Sequence, residues 1–271
     1  MNPVIMPYVG ALDLTQAAIR DVLAQTLPDM QLLLIANGTE VLEDAGDSRV
    51  LQWHHHPSLP ALAATWNRAL QWAWESGADH CLGVNNDVRL PPELYAALLL
   101  AQQRTDGWFI TAANAGERWD VVKTTPILPP DEAFFTTRGG PDFSCFLITQ
   151  ECHRWFQFDE GFIPAYHEDN DYHRRLQLAG FGDRIFSVSI PYLHYGSGTL
   201  RHSPAVQGGW GPRFVACQQY YVEKWGGLPG QETRRRPFHE AADDIDIRPY
   251  LFGQGKNDGH PLWSAFHAQA L

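Results

Sequence analysis

Acidic side chains are concentrated in the segment His167-Glu168-Asp169-Asn170-Asp171, which opens a predicted helix. Carboxylates are favoured there because the helix dipole places partial positive charge at the N-terminus. One interpretation is structural, with Glu168 or Asp169 capping the helix. The other is catalytic, with one carboxylate acting as general base toward a substrate hydroxyl and its neighbour held by Arg174 or Arg175. The local sequence leaves both interpretations open.

A second polar cluster, Asn85-Asn86-Asp87, directly follows the apolar run 81–84. A carboxylate at the end of a buried strand projects from the edge of the sheet, where open α/β sheets bind ligands. One or two protein carboxylates are enough to bind Mg²⁺ when substrate phosphates supply the other oxygen ligands. Asp87 is therefore a candidate metal ligand. An equally good local interpretation is that Asn86-Asp87 caps the turn before Pro91.

Histidines provide a third group of candidates. His194 ends an apolar predicted strand and precedes a glycine-rich loop. A single histidine is more often structural, but the adjoining loop favours an imidazole ligand for Mn²⁺. The run His54-His55-His56 is different, because consecutive residues of an extended chain point to opposite faces and chelate poorly. We interpret that run as a loop.

A parallel sheet is predicted to position these clusters. Short apolar runs alternate with helical patterns through the first half of the chain, as βαβ units do. Strands are predicted near residues 4–6, 32–35, 50–51 and 80–84. The helices between them are predicted to begin after an Asp13 cap, at Ser58 and Pro60, and at Pro91-Pro92.

The second half of the chain is less regular. Strands are predicted over residues 143–149 and 185–190, and a helix over 168–179 that is closed by Gly180. From Gln231 onward proline, glycine and charged residues dominate, which predicts a tail wrapped over the domain. The pattern as a whole is typical of one α/β domain with a C-terminal extension.

The composition is that of an acidic globular protein. Of 271 residues, 44% are hydrophobic and 19% charged, which excludes a disordered chain. The net charge of −11 disfavours nonspecific binding to nucleic acid. We interpret the basic cluster Arg234-Arg235-Arg236 as a solvated loop.

Compartment and membrane association can also be predicted. No stretch reaches the roughly 18–20 apolar residues that a membrane helix needs, and the N-terminus does not resemble a signal peptide. The four cysteines form no CxxC pair: Cys81, Cys145, Cys152 and Cys217. We therefore expect a cytoplasmic protein with reduced thiols and no membrane span.

In their order along the chain, the motifs resemble those of glycosyltransferase family 2, including its rhamnosyltransferase-like and phage-like bacterial members. The resemblance spans residues 4–227 and is carried by these segments: Val4-Ile5-Met6-Pro7-Tyr8, Gln25-Thr26-Leu27-Pro28, Ile35-Ala36-Asn37-Gly38-Thr39, Val84-Asn85-Asn86-Asp87-Val88, Phe158-Asp159-Glu160-Gly161-Phe162, Glu168-Asp169-Asn170-Asp171 and Tyr220-Tyr221-Val222-Glu223-Lys224-Trp225-Gly226-Gly227. Each motif is weakly specific by itself, and their shared order is the stronger signal.

This resemblance implies the GT-A fold, a Rossmann-like mixed sheet flanked by helices, with a C-terminal extension. The domain would cover residues 1–230, with a nucleotide-binding half at 1–110 and an acceptor half at 111–230. Residues 231–271 would form a tail packed on it. The implied activity is metal-dependent, inverting transfer of a hexosyl or deoxyhexosyl group from a nucleoside-diphosphate sugar to an acceptor hydroxyl.

The resemblance also assigns roles to single residues. Asp169 would be the catalytic base, with Glu168 as the second candidate. Asp87 and His194 would hold Mn²⁺ or Mg²⁺ on the diphosphate. The remaining assignments are the residues that would bind the nucleotide sugar: Pro7, Tyr8, Asn37, Asn67, Asn85 and Asn86.

Two positions depart from the family pattern. The family usually has an acidic residue, which reads the pyrimidine ring, where Ala36 stands. The Asn37 amide could pair with an imide edge instead, so a UDP- or dTDP-type donor is favoured. Trp66 replaces the arginine that often precedes the helix asparagine, so neutralisation of the diphosphate would depend more on the metal.

Other functions share some of these features. A glycoside hydrolase could use Asp87 and Asp169 as its two carboxylates, but it would leave His194 unexplained. A nucleotidyltransferase would share the α/β half, and a non-catalytic nucleotide-sugar-binding module would be consistent with Ala36.

The acceptor is not identified by the sequence. A glycan, a protein or a small molecule is compatible with it, whereas the negative charge disfavours modified DNA. Aromatic residues of the second half are predicted to stack on the acceptor: Trp155, Phe156, Phe158, Phe162 and Tyr166.

Overall fold

The protein is described from a computed structural model, which covers residues 1–38, 40–43, 46–55, 61–128, 142–196, 198, 210–238 and 252. Its strands are β1 (Asn2–Tyr8), β2 (Met30–Ala36), β3 (Val50–His54), β4 (His80–Val84), β5 (Val88–Arg89), β6 (Phe109–Asn114), β7 (Cys145–Thr149) and β8 (Ile185–His194). Its helices are α1 (Leu12–Leu23), α2 (Leu62–Glu75), α3 (Leu94–Thr105), α4 (Trp119–Val122), α5 (Gln150–Trp155), α6 (Glu168–Leu178) and α7 (Trp210–Trp225).

The strands form one mixed sheet in the order β3-β2-β1-β4-β7-β6-β8-β5. The first half of the chain supplies the parallel strands β1 to β4. The strand β7 is antiparallel to both β4 and β6, while β8 is parallel to β6. The carboxyl ends of β4 and β8 therefore meet the start of β7 at one edge of the sheet.

Both faces of the sheet are covered, which explains why its central strands are apolar at consecutive positions rather than at alternate ones. In β1, Ile5 packs into a core cluster on one face with α2, α6 and α7. Its neighbours Val4 and Met6 pack into the cluster on the other face with α1 and α3. All three side chains are fully buried.

A close approach between β4 and β7 requires a glycine. Gly83 pairs with Phe146, and a Cβ at Gly83 would lie 2.3 Å from Cζ of that ring. The Phe146 ring instead stacks on Phe109 at 4.9 Å and meets Trp66 edge-on at 5.2 Å. This packing anchors α2 across the centre of the sheet, beneath the edge where β4 ends.

Most predicted elements are present, with altered bounds. The predicted strand at 50–51 extends to His54, so the interpretation of that residue as loop was wrong; His55 follows the strand, and His56 lies outside the described residues. Hydrogen bonding to β2 explains the extension, because β2 pairs with β3 through the register Ala36↔His54.

The predicted helix starts also need correction. The residue at the N-cap of α1 is Ala11, with φ of 51°, and Asp13 lies in the first turn without capping it. The helix α2 begins at Leu62, and the predicted start at Ser58 and Pro60 falls outside the described residues. The sequence patterns gave no prediction of β6, α5 or α7.

The four cysteines are buried and form no disulfide. Among the described residues, no helix is long and apolar enough to cross a membrane.

Candidate active site

Three of the predicted site residues lie at the carboxyl edge of the sheet. Asp87 follows β4, His194 ends β8, and Asn37 follows β2. The side chains of Asp87 and His194 are in contact, with 3.3 Å between His194 Nε2 and Asp87 Oδ1. The two candidate metal ligands, 107 residues apart in sequence, are therefore brought together, because β5 continues from Asp87 and pairs antiparallel with the end of β8.

Backbone groups fix the Asp87 carboxylate. The amide of Gly198 donates to Asp87 Oδ2 at 2.8 Å, and the amide of Tyr195 donates to the Asp87 carbonyl at 3.0 Å. A Cβ at Gly198 would lie 2.9 Å from the Asp87 Cβ, so only glycine allows this approach. Asp87 is therefore held by the segment after β8, in addition to any part that Asn86-Asp87 takes in capping the turn before Pro91.

Neighbouring polar groups orient His194. Its Nδ1 lies 2.9 Å from the Ser144 hydroxyl, on the residue before β7. Its backbone amide donates to Asn114 Oδ1 at 3.1 Å, and the Asn114 amide group donates back to the His194 carbonyl at 3.2 Å. His194 Nε2 lies 3.2 Å from the same Ser144 hydroxyl and 3.3 Å from Asp87 Oδ1.

Asp142 extends this network toward the catalytic candidates. Its carboxylate accepts hydrogen bonds from the Ser144 amide at 3.0 Å and from the Tyr192 hydroxyl at 2.7 Å. The charge of Asp142 raises the pKa of both His194 and Asp169. Asp142 therefore bonds to the residue before β7 that contacts His194, and its charge acts on both candidate groups.

The pKa values of Asp87 and His194 move in opposite directions. Burial acts to raise the pKa of Asp87, but its hydrogen bond to His194 and the imidazolium charge outweigh burial and lower it. Burial acts to lower the pKa of His194, and the hydrogen bond and charge of Asp87 outweigh burial and raise it. Each group thus favours the charged form of the other.

The catalytic candidates lie in the first turn of α6. Glu168 is buried, and burial together with the charge of Asp169 raises its pKa to about 8. Asp169 is partly exposed, and burial together with the charges of Asp142 and Asp171 raises its pKa to about 6. Within the described part of the chain, Glu168 Oε2 has no hydrogen-bond partner.

The two arginines of α6 contact carboxylates other than those of Glu168 and Asp169. Arg175 binds Asp171, with 2.7 Å between Nε and Oδ2, and Arg174 lies 3.6 Å from Glu232. The expectation of an arginine beside the acidic run is met at Asp171, not at the two catalytic candidates.

The nucleotide-binding candidates gather at the ends of β1, β2 and β4, but several of them make internal contacts. The Tyr8 hydroxyl accepts the Leu42 amide at 3.0 Å, and the Asn37 amide group donates to Thr65 at 2.9 Å. Asn86 donates to Thr15 at 2.9 Å and thereby ties the end of β4 to α1. Pro7 is buried, and Asn85 is half-buried.

Asn67 lies apart from this group. Its side chain pairs with the backbone of Phe158, accepting from N at 2.8 Å and donating to O at 2.9 Å. It also donates to Glu160 at 2.9 Å. The residue therefore docks α2 onto the segment before α6, and its role toward a nucleotide sugar stays a prediction.

The prediction of an aromatic acceptor surface was wrong for three residues. Phe156, Phe158 and Phe162 are at most 1% exposed, because they fill the core between α5, α6 and the sheet. Trp155 and Tyr166 are half-buried at its margin.

Comparison with known proteins gives a structural match. No protein-family model matches the chain, and no curated protein matches its sequence. Glucosyl-3-phosphoglycerate synthase from Mycobacterium tuberculosis, solved with Mn²⁺, UDP-glucose and phosphoglyceric acid, superimposes with a TM-score of 0.53 at 13% identity, over 81% of this chain and 79% of that one. S. aureus TarS 1-349, solved with UDP-GlcNAc, gives a TM-score of 0.51 at 12% identity, over 100% of this chain and 82% of that one.

The chain has the GT-A fold. The predicted fold class, a mixed α/β sheet flanked by helices, is thereby confirmed. Against the longer TarS chain, with a TM-score of 0.52 at 13% identity, the match covers 73% of this chain but only 37% of TarS.

The donor set at this GT-A edge can be tested against a divalent cation. Among the described residues, no group of three or more His, Cys, Asp or Glu side chains could hold a metal by itself. Asp87 and His194 supply one hard oxygen ligand and one imidazole nitrogen, which suits Mn²⁺ when substrate phosphates complete the coordination. The residues present therefore fit a metal that binds together with a diphosphate.

Proposed function

We propose that the protein is a metal-dependent glycosyltransferase, which moves a sugar from a nucleoside diphosphate to an acceptor hydroxyl. The observation that carries the proposal is the contact of Asp87 with His194 at the carboxyl edge of a GT-A sheet, the edge where open α/β sheets bind ligands. The solved relatives support a UDP-type donor, since they were crystallised with UDP-glucose and UDP-GlcNAc. A dTDP-type donor is the alternative that shares a pyrimidine base.

Asp87 and His194 would hold Mn²⁺ or Mg²⁺ against the diphosphate. The bound cation would neutralise the charge that develops on the leaving diphosphate. Asn114 holds the His194 backbone, the Ser144 hydroxyl contacts the His194 ring, and the Gly198 amide keeps the Asp87 carboxylate in place. A pre-oriented ligand pair avoids the cost of reorganisation when the substrate binds.

Asp169 is the proposed general base. Its pKa of about 6 leaves the carboxylate ionised at neutral pH, while the pKa of Glu168, about 8, keeps that group protonated. Both pKa values are raised by burial, and the deeper burial of Glu168 favours Asp169 as the group that accepts a proton. Asp169 is also the more exposed of the two, which allows an acceptor hydroxyl to reach it.

The proposed reaction is a single displacement. The acceptor oxygen forms a bond to the anomeric carbon as the bond from that carbon to the diphosphate oxygen breaks. The hydroxyl proton moves to Asp169, and the electron pair leaves with the diphosphate. Attack opposite the leaving group inverts the configuration at the anomeric carbon.

The nucleotide is proposed to bind at the ends of β1, β2 and β4, near Tyr8, Asn37 and Asn85. The Tyr8 hydroxyl already accepts from Leu42, so base recognition would depend on the Asn37 amide and on backbone groups. A neutral hydrogen bond contributes only about 0.5–1.5 kcal/mol, so UDP and dTDP should bind within roughly tenfold of each other.

The test is a panel of UDP-, dTDP-, GDP- and CDP-sugars, in which binding is measured by calorimetry and release of nucleoside diphosphate by a coupled assay with Mn²⁺ present. With a pyrimidine donor we expect binding and slow release, because water takes the place of the acceptor hydroxyl and receives the sugar; for Asp169→Asn we expect binding without release. Binding without release by the unaltered protein would instead identify a non-catalytic module. Failure of every sugar nucleotide to bind would overturn the proposal.

A further inference from the structure

Four charged side chains are buried together between α6 and α7. They are Asp159, Asp171, Arg175 and Lys224, and none is more than 6% exposed. Asp171 and Arg175 belong to α6, Lys224 belongs to α7, and Asp159 lies in the segment before α6. The two positive and two negative charges balance, so the cluster is formally neutral.

The contacts within this cluster are short and converge on Asp171. Lys224 Nζ lies 2.7 Å from Asp171 Oδ1 and 2.6 Å from Asp159 Oδ2. Arg175 Nε lies 2.7 Å from Asp171 Oδ2, and the Trp225 indole donates to Asp171 Oδ1 at 2.8 Å. Three donors from two helices thus hold a carboxylate that lies two residues after Asp169.

A second contact joins α7 to the other side of the same turn. The His167 ring packs 5.5 Å from both Phe214 and Tyr221 of α7, measured between ring centroids. The backbone at Tyr166 and His167 has φ of 91° and 68°, a conformation that side chains disfavour and that persists only when surrounding contacts impose it. The helix α7 therefore contacts residue 167 on one side of Asp169 and residue 171 on the other.

Stability alone gives a poor reason for such a cluster. Removing four charges from water is costly, and apolar side chains of similar volume often replace buried ion pairs without loss of stability. What the charges add is a defined geometry, because hydrogen bonds with fixed directions permit one arrangement of the two helices. The first turn of α6 is the element whose geometry the reaction depends on.

We propose that Lys224 and Trp225 are positioning residues, which hold Asp171 and thereby set the place of Asp169 relative to the acceptor hydroxyl. The inference rests on the proposed function, because it takes Asp169 as the general base. Misplacement by about 1 Å can cost a reaction roughly 100-fold in rate while binding of the donor continues. Loss of the contacts to Asp171 should therefore lower kcat and leave the donor KM unchanged.

A matched pair of variants tests the proposal. Trp225→Phe keeps an aromatic ring but removes the indole donor to Asp171. Tyr220→Phe removes a hydroxyl that donates to Asp159 Oδ2 at 2.9 Å. Asp159 belongs to the same charged cluster but lies outside α6. We expect Trp225→Phe to lower kcat by about 10- to 100-fold with the donor KM within twofold. Tyr220→Phe should leave both constants within twofold.

Thermal melting of both variants separates misfolding from misplacement. If Trp225→Phe does not fold, Lys224→Arg is measured instead, since it keeps the charge and shifts the donor atoms; the same fall in kcat at constant KM is expected. Equal kcat for Trp225→Phe and Tyr220→Phe in folded proteins, or a fall in donor affinity alone, would overturn the positioning role. If Asp169→Asn were fully active, the proposed function itself would fail, which is a distinct outcome.

Discussion

At the scale of single residues, the assignment of the general base makes a pH-dependent prediction. Asp169 accepts a proton only when ionised, so kcat should rise as the pH increases through about 6, the pKa of that carboxyl. Asp169→Asn cannot accept the proton, and its kcat should be lower by roughly 10²–10⁴-fold while nucleotide affinity is kept. Rates measured from pH 4.5 to 8 with a saturating donor test this.

Glu168→Gln is the control for that measurement. The pKa of Glu168, about 8, predicts a neutral group in the active pH range, so the neutral amide should preserve most of kcat. An inactive Glu168→Gln protein alongside a normal Asp169→Asn protein would move the base to Glu168.

A second residue-scale prediction concerns the group behind His194. Ser144→Ala removes the hydroxyl that lies 2.9 Å from Nδ1, so the ring loses its orienting partner. Removing such a partner typically lowers metal affinity by about 10–100-fold, and we expect this for Mn²⁺ in the presence of UDP. Electron paramagnetic resonance titration of free Mn²⁺ measures it.

Ser189→Ala provides the comparison for Ser144→Ala. The Ser189 hydroxyl lies in the same strand as His194 and has no hydrogen-bond partner among the described residues. Its removal should leave Mn²⁺ affinity unchanged. Equal affinities for the two variants would show that Ser144 does not orient the ligand.

Single residues differ in how far the sequence revealed them. The sequence pattern was sufficient to select Asp87, His194 and Asp169 as candidates, because they stand at the ends of predicted strands and of a predicted helix, where ligands are expected. Asp142 and Ser144 were missed because they precede β7, and only the antiparallel direction of that strand brings its start to the site. Strand direction depends on pairing across the sheet, which a local pattern does not contain.

At the scale of elements, the first turn of α6 should make stability depend on pH. The unfolded Glu168 side chain ionises near pH 4.5, whereas its folded pKa is about 8. Between pH 6 and 8 the folded state therefore holds a proton that the unfolded state has lost. The free energy of unfolding should fall as the pH rises through this window, by up to about 1.4 kcal/mol per pH unit.

Urea unfolding at pH 6, 7 and 8 measures this dependence. Asp169 ionises at about pH 6 and contributes mainly below the window, so the slope within it belongs chiefly to Glu168. Glu168→Gln has no carboxyl to titrate and should flatten the slope. An identical slope in the two proteins would contradict the raised pKa of Glu168.

The elements themselves were predictable where the pattern was regular. The buried parallel strands β1, β2 and β4 are continuous apolar runs, which the sequence displays directly. The helix α7 was not predicted; Gly211 and Pro212 stand in its first turn, where proline is tolerated. The role of α7 depends on Lys224 meeting Asp171 from a distant segment, and no local pattern encodes that contact.

At the scale of the whole molecule, the GT-A sheet accounts for how separate segments become one site. Residues from both halves of the chain, Asp87 and His194, meet because β7 reverses direction and β8 returns parallel to β4. Order along the chain was enough to predict this fold, although identity to the matching solved structures is only 12–13%. The fold does not identify the acceptor. Three residues that were predicted to stack on it are buried in the core instead: Phe156, Phe158 and Phe162.

The most direct test of the account is release of nucleoside diphosphate from a UDP- or dTDP-sugar with and without EDTA. Neutralisation of the leaving diphosphate is assigned to a cation held by Asp87 and His194. Turnover should therefore stop in EDTA and return when excess Mn²⁺ or Mg²⁺ is added. Asp87→Ala should stay inactive at any metal concentration. Undiminished turnover in EDTA would contradict the metal-dependent mechanism.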